Sequence, residues 1–408
     1  MNPGTADSFT ASPATMADAR TLAGEALAAA LRESRARTRD WTFDLSDAQW
    51  QVPRQAGVNL VAWELSHLAW FGEFWVLRGP HAVDAHGHVQ ATAPAQIAGP
   101  DALFDSARLA HIARWSVPLP TREEIDARLD AQLEACLAAL PPCEDSDQAL
   151  YFHRLALFHE DMHDEAFAWL RATLSYPAPA GLSELPRLAE ASAIELPATQ
   201  ARIGWPAGRS GFAFDNELGE HTVALARFEI DATPVTAGRY LRFVEAGGYA
   251  DPAFWPGEAG RWRATQPRSH PSRWRRESGR WETRWFDRWL PLDPDRPVIH
   301  VSAFEAQAYA RWAGRRLPAA VEWEQAAATH GAFAWGRSVW EWTASTFEPY
   351  PGFAAGPYRD YSAPWFGDHR ELRGGAFATH ARLHDPRYRN FFQPGRNDVF
   401  AGFRTAAP

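Results

Sequence analysis

From Ala17 to about Leu174, apolar residues recur at three- and four-residue spacing with charged residues between them. That is the period of helices that bury one face. Leu22, Ala26, Leu27, Ala30 and Leu31 open the pattern, and a second helix is expected from about Asn59 to Leu77. Thr121-Arg122-Glu123-Glu124 starts a third, Thr121–Ala139, because a Thr hydroxyl and a Glu three residues on can each satisfy a free amide at a helix start. A fourth runs from about Asp147 to Leu174 with no Gly or Pro to interrupt it. Four long helices predict an antiparallel bundle over residues 17–175, an architecture that builds metal sites from side chains on facing helices.

The pattern changes at Tyr176-Pro177-Ala178-Pro179-Ala180-Gly181, and Pro and Gly stay frequent from there on. Residues 176–198 read as a linker and 199–408 as a second domain. Short runs such as Val223–Ile230 and Pro297–Val301 alternate with two predicted helices, Ala237–Ala246 and Ser302–Ala313. This is an α+β pattern. Residues 1–16, rich in Ser, Thr, Ala and Pro, read as a mobile tail rather than a signal peptide.

Composition narrows the possibilities. A chain of 408 residues exceeds one ordinary core, in keeping with two domains. Its net charge of −9, from 41 Lys and Arg against 50 Asp and Glu, argues against nucleic acid as a partner. The Arg- and Trp-rich stretch Trp262–Trp289 therefore reads as a surface hairpin whose Arg stems cover Trp faces. No run approaches the roughly 18 apolar residues of a membrane span. Cys136 and Cys143, the two cysteines, make neither a disulfide framework nor a metal motif. A cytoplasmic protein acting on small molecules is expected.

The strongest chemical signal is His159-Glu160-Asp161-Met162-His163-Asp164-Glu165. On a helix, His159 and His163 stand one turn apart on one face and can reach one ion. His67, in Trp63-Glu64-Leu65-Ser66-His67-Leu68-Ala69-Trp70, offers a third imidazole from another helix. Three histidines leave about half of an octahedral iron shell for substrate and dioxygen. Asp164 and Glu165 are expected to orient a ligand ring, and His153, His300, His380 and His384 to be structural. A pair of His residues four apart is also common on solvated helix faces. His159–His163 further matches the HExxH zinc-hydrolase pattern, with Glu160 as base and only Glu184, Glu190 and Glu195 nearby downstream as further ligands. A non-catalytic binding protein is the remaining alternative.

The C-terminal half resembles the formylglycine-generating-enzyme or sulfatase-modifying-factor domain, a C-type-lectin-like fold. The resemblance rests on Phe228-Glu229-Ile230-Asp231, Gly247-Gly248-Tyr249, Ala308-Tyr309-Ala310-Arg311-Trp312-Ala313-Gly314-Arg315-Arg316-Leu317-Pro318, Val339-Trp340-Glu341-Trp342-Thr343, Leu372-Arg373-Gly374-Gly375 and Gly402-Phe403-Arg404. Such a series speaks for fold, not chemistry. Formylglycine formation is not expected, since both cysteines lie in the helical half. That half looks like a DinB-type bundle, and the pairing resembles the ergothioneine sulfoxide synthases and their selenoneine synthase relatives.

The resemblance implies iron(II) held by His67, His159 and His163, with hercynine, dioxygen and a thiol or selenosugar as small-molecule partners. It places Asn390 and Phe391 of Arg389-Asn390-Phe391 against hercynine, with an aromatic face near the trimethylammonium. It also implies a proton-donating tyrosine among Tyr350, Tyr358 and Tyr361. Met162 stands where sulfoxide synthases often carry Gln, and Phe391-Phe392 where those using γ-glutamylcysteine carry Trp-Asp. The segment Phe104–Thr121 has only Arg108 and Arg114 in place of an Arg-rich carboxylate-binding loop. These departures, which make Met162 and Phe392 substrate-contact candidates, favour a smaller, less anionic donor such as a selenosugar.

Overall fold

The computed structural model describes residues 19–141, 146–189 and 191–408. The expected tail at 1–16, Cys143 and Glu190 lie outside them. Among the described residues the first half contains four long helices, α1 (Gly24–Asp40), α2 (Val61–Gly72), α3 (Arg122–Ala138) and α4 (Asp147–Thr173), besides two single-turn helices. Helix α1 packs on α3 and α4, and α2 packs on both as well. α2 is apolar nearly all round, so every residue but Ala62 is buried and the helix lies at the centre. It continues as a π-helical turn, Glu73–Leu77. At Gly72 a Cβ would lie 2.2 Å from Gln132 Nε2, so a side chain there would displace the Gln132 carboxamide of α3. The Thr121–Glu124 capping box opens α3 as expected.

The first half also holds a two-stranded ribbon of β1 (His81–Val83) and β2 (Val89–Ala91), and four strands, β10 to β13, form the main sheet of the second half. β10 (Trp340–Thr346) pairs antiparallel with β11 (Arg370–Gly374) and parallel with β13 (Ala401–Gly402), and β12 (Asn390–Phe392) lies antiparallel on β11. Helices α5 (Ala237–Glu245), α6 (Glu258–Ala264), α7 (Ala303–Trp312) and α8 (Ala320–Thr329) surround this framework.

Several expectations change. β3 (Ile194–Leu196) pairs with β6 (Phe228–Ile230), so ordered strand begins inside the segment read as a linker. The Val223–Ile230 run is two strands, β5 (His221–Leu225) and β6, and β5 pairs with β4 (Thr199–Ile203). Pro297–Val301 forms no strand. Pro297 makes one isolated bridge to Thr236, and His300 at φ 62° interrupts the extended backbone. The Arg- and Trp-rich stretch holds α6 and three antiparallel strands rather than one hairpin: β7 (Trp274–Glu277), β8 (Arg280–Trp285) and β9 (Arg288–Pro291). The expected covering does occur, with the Arg275 guanidinium 4.2 Å from the Trp289 ring centroid. Among the described residues no helix is long and apolar enough to cross a membrane.

The two halves are joined by buried polar contacts. Glu165 of α4 accepts hydrogen bonds from Trp340 Nε1 at 2.8 Å and Thr379 Oγ1 at 2.6 Å. Asp161 accepts from Ser34 of α1 and from Arg382 of the second half. Arg20 forms a two-pronged pair with Glu217 at 2.8 Å, both side chains fully buried. Removing one partner of such a pair strands the other's charge. Glu217→Ala is expected to cost about 3–5 kcal/mol, read as a drop in the denaturation midpoint at constant m-value.

Candidate metal centre

Helices α2 and α4 bring His67, His159 and His163 together. Their candidate ligand atoms lie within 4.8 Å of one another, and among the described residues no other three His, Cys, Asp or Glu side chains converge in this way. His67 sits in the apolar run of α2, its ring stacked between Trp63 and Trp70. His159 lies flat on Phe71 with centroids 3.5 Å apart. Burial, then the neighbouring imidazoles, hold His67 and His159 well below the ordinary histidine pKa, so both are neutral and able to donate a lone pair.

Two of the rings have a defined direction. His67 Nδ1 lies 2.7 Å from the Phe104 carbonyl oxygen, which can only accept, so Nδ1 carries the proton and Nε2 has the free lone pair. His163 Nδ1 lies 2.6 Å from Glu64 Oε1, which leaves its Nε2 facing the cluster. A carboxylate behind a histidine in this manner fixes the tautomer and raises ligand basicity. The donor set therefore fits a divalent transition metal with open positions. Sequence reading missed Glu64 and the Phe104 carbonyl. Glu64 stands three residues before His67, on the same helix face, and that spacing was the available signal.

Asp164 and Glu165 do not orient these rings. Asp164 accepts from Thr38 of α1 at 2.7 Å, and Glu165 faces the second half. Burial pushes Glu165 up to about 7. Glu160 also points away from the cluster, where Arg35 holds it at 2.6 Å. A carboxylate locked in a buried ion pair on the wrong face cannot serve as the base of an HExxH hydrolase. His153 bonds the Cys136 carbonyl at 3.0 Å, while His300 and His384 are buried in the second half.

The second half contributes aromatic side chains over the cluster. The Tyr358 ring centroid is 5.1 Å from Phe71 and 6.1 Å from His159. Tyr361 and Tyr388 have their hydroxyls 3.1 Å apart and both reach the Met162 sulfur, at 3.7 and 3.2 Å. Tyr388, unremarked in the sequence, completes this group. Tyr350 lies elsewhere, bonded to Arg373 at 2.9 Å. Phe391 stacks on Phe347 at 4.1 Å and meets Tyr361 edge-on at 5.8 Å. Asn390 turns its carboxamide oxygen onto the Phe391 amide. Phe392 contacts Trp169, six residues along α4 from His163 and about 9 Å further down its axis.

Comparison with known proteins agrees with this two-part construction. Residues 30–167 match the DinB superfamily, and residues 182–338 and 330–408 match the sulfatase-modifying factor enzyme 1-like domain. The chain is 32% identical over 438 aligned positions to a hercynine oxygenase of Mycobacterium tuberculosis, covering 94% of this chain and 98% of the relative. A hercynine oxygenase of Mycolicibacterium smegmatis is 30% identical, covering 94% and 99%. A formylglycine-generating enzyme of Streptomyces coelicolor is 28% identical over 46% of this chain and 79% of its own length.

If Glu64 orients His163, Glu64→Ala is expected to weaken metal binding by about 10- to 100-fold while the bundle stays folded. Anaerobic titration with iron(II) or cobalt(II), with circular dichroism as the folding control, checks this. Unchanged affinity would remove the carboxylate from the site.

Proposed function

Since this chain belongs to the hercynine oxygenase family, we propose that it uses iron(II) and dioxygen to form a carbon–selenium bond on the imidazole of hercynine, with a selenosugar as donor. The observation that carries the reading is the three-histidine cluster, built by the bundle and capped by tyrosines of the second domain. His67, His159 and His163 would hold the metal. When bound, iron(II) supplies the activation of dioxygen. The protein's part is to bind, orient and protonate.

Tyr358 is the proton donor in this reading. Its ring is the tyrosine ring in contact with His159, and burial followed by the charges of Asp360 and Asp105 raises its pKa. It therefore keeps its proton at neutral pH and meets the substrate as a neutral hydroxyl. Phe391 and Tyr361 offer aromatic faces for a trimethylammonium group, with Asn390 beside them. Met162 brings a thioether to the two tyrosine hydroxyls and cannot donate a hydrogen bond to a substrate nitrogen.

Charge favours an uncharged donor. Arg108 is spent on Asp105 at 2.9 Å. Arg114 lies 3.7 Å over Trp63 and bonds Asn59, and among the described residues it forms no ion pair. One guanidinium cannot match the two carboxylates of γ-glutamylcysteine, and an unmatched carboxylate in a desolvated site is costly. The same Arg114 gives the second reading its support, because it suits a single carboxylate such as that of cysteine.

Anaerobic reconstitution with iron(II), then hercynine, oxygen and either a selenosugar or a thiol, is expected to give a carbon–selenium adduct by mass spectrometry. A sulfur adduct from γ-glutamylcysteine or cysteine alone would overturn the selenium assignment, and no adduct despite bound iron would overturn the substrate. Tyr358→Phe is expected to slow adduct formation by about 10²- to 10⁴-fold with iron affinity unchanged. An unaltered rate would take the proton-donor role from Tyr358.

A further inference from the structure

At the C-terminal end of α4, ten residues and about 15 Å along the helix axis from His163, a cleft of about 470 Å³ opens against the β7–β9 sheet. Its walls carry Arg268, Arg273, Arg275, Arg284 and His270, against one carboxylate, Asp398. Asp398 is held by Arg396 at 2.6 Å, and Arg275 by Glu282 at 2.6 Å. Arg268, Arg273 and Arg284 form no ion pair among the described residues. In a chain of net charge −9, three convergent unpaired guanidinium groups are unexpected.

Capping of α4 explains part of their placement. Arg284 NH2 donates to the Ala172 carbonyl at 3.4 Å, and Arg273 NH2 donates to Thr173 Oγ1 at 3.0 Å and the Asp398 carbonyl at 3.3 Å. It leaves two donors over. Arg273 is only 5% exposed, and its buried NH1 has no partner; neither does the buried Nε of Arg284. Burial and the charge of Arg284 push the Arg273 guanidinium down to about 9, and Arg268 acts on Arg284 in the same direction. Mutual repulsion and orphaned donors are both relieved by one anion.

We propose that this cleft binds a compact dianionic oxyanion: phosphate, or the phosphoryl group of a small phosphomonoester. A dianion balances two of the three unpaired charges, and guanidinium forks match its oxygens in pairs. The cleft is larger than free phosphate, so there is room for the carbon skeleton of an ester. A single-stranded nucleic acid fits less well, because it needs open aromatic faces. Here Trp289 is covered by Arg275 and Trp274 is buried.

Calorimetric titration of the full chain with inorganic phosphate and with glycerol 3-phosphate, against chloride at matched ionic strength, tests the assignment. One saturable site for either ligand is expected, and the tighter arm identifies the source. Arg273→Met is expected to weaken binding by about tenfold or more. Arg284→Gln, at a half-buried position, gives the same readout should the Arg273 variant fail to fold. The proposal is overturned by the absence of saturable binding beyond chloride, by equal binding in wild type and folded variants, or by uptake of an oligothymidylate without phosphate binding. None of these outcomes depends on the hercynine reading, since no arm measures catalysis.

Discussion

An α-helix turns about 100° per residue, and in α4 that rotation divides seven consecutive residues among its neighbours. His159 and His163 face α2 and His67. Glu160 and Asp164 face α1, where Thr38 reaches both and Arg35 neutralises the first. Asp161 and Glu165 face the second domain through Arg382, Thr379 and Trp340. Met162 projects toward the Tyr361 and Tyr388 hydroxyls. Four carboxylates in one and a half turns of a buried helix would be ruinous without partners. Arg35 meets Glu160, Ser34 and Arg382 meet Asp161, and Trp340 and Thr379 meet Glu165, while burial and the charge of Glu160 hold the Asp164 pKa well above the usual carboxylate range. These partners come from α1 and the second domain, so this face of α4 is satisfied only when both are docked on it.

This division also explains what could be read beforehand. Spacing alone brings His159 and His163 to one side, because residues four apart share a helix face whatever lies opposite. Which side meets α2 is decided by packing, and so the roles expected for Asp164 and Glu165 went to Glu64 and the Phe104 carbonyl. Helices opened by a capping box, such as α3, are legible to within a residue or two. β3 is not, because three residues among prolines carry too little pattern and owe their strand form to pairing with β6. Pro297–Val301 has the composition of a strand, but the left-handed backbone at His300 overrides it.

The division of labour between the domains follows from the same geometry. The bundle supplies rigid imidazoles whose tautomers are set by a carboxylate and a carbonyl, and two of the three stay neutral because water is excluded. The second domain supplies Tyr358, Tyr361 and Tyr388 from segments between its strands and Phe391 from strand β12, all neutral groups. Ligands on helices hold their geometry more tightly than loops do, while loops tolerate change at low cost to the fold. Phe391-Phe392 on strand β12 and the Arg-poor segment around Arg114 in the helical half both lie off the two histidine-bearing helices, so either can change without replacing an imidazole.

Neutrality on the loop side has an electrostatic consequence for the bundle side. In a low-dielectric pocket the field of one unpaired charge is felt strongly by its neighbours. Arg114 already lowers the proton affinity of His67, while the nearby Glu64 carboxylate partly counters the effect of burial on Arg114 itself. A second cation in the same loop would favour an anionic donor and, through the same field, make the histidines poorer bases for a metal. A pocket that relies on neutral contacts avoids this trade. It leaves the Glu64 carboxylate bonded to His163 Nδ1, and the Tyr358 ring beside His159 with its proton held by burial and by the charges of Asp360 and Asp105.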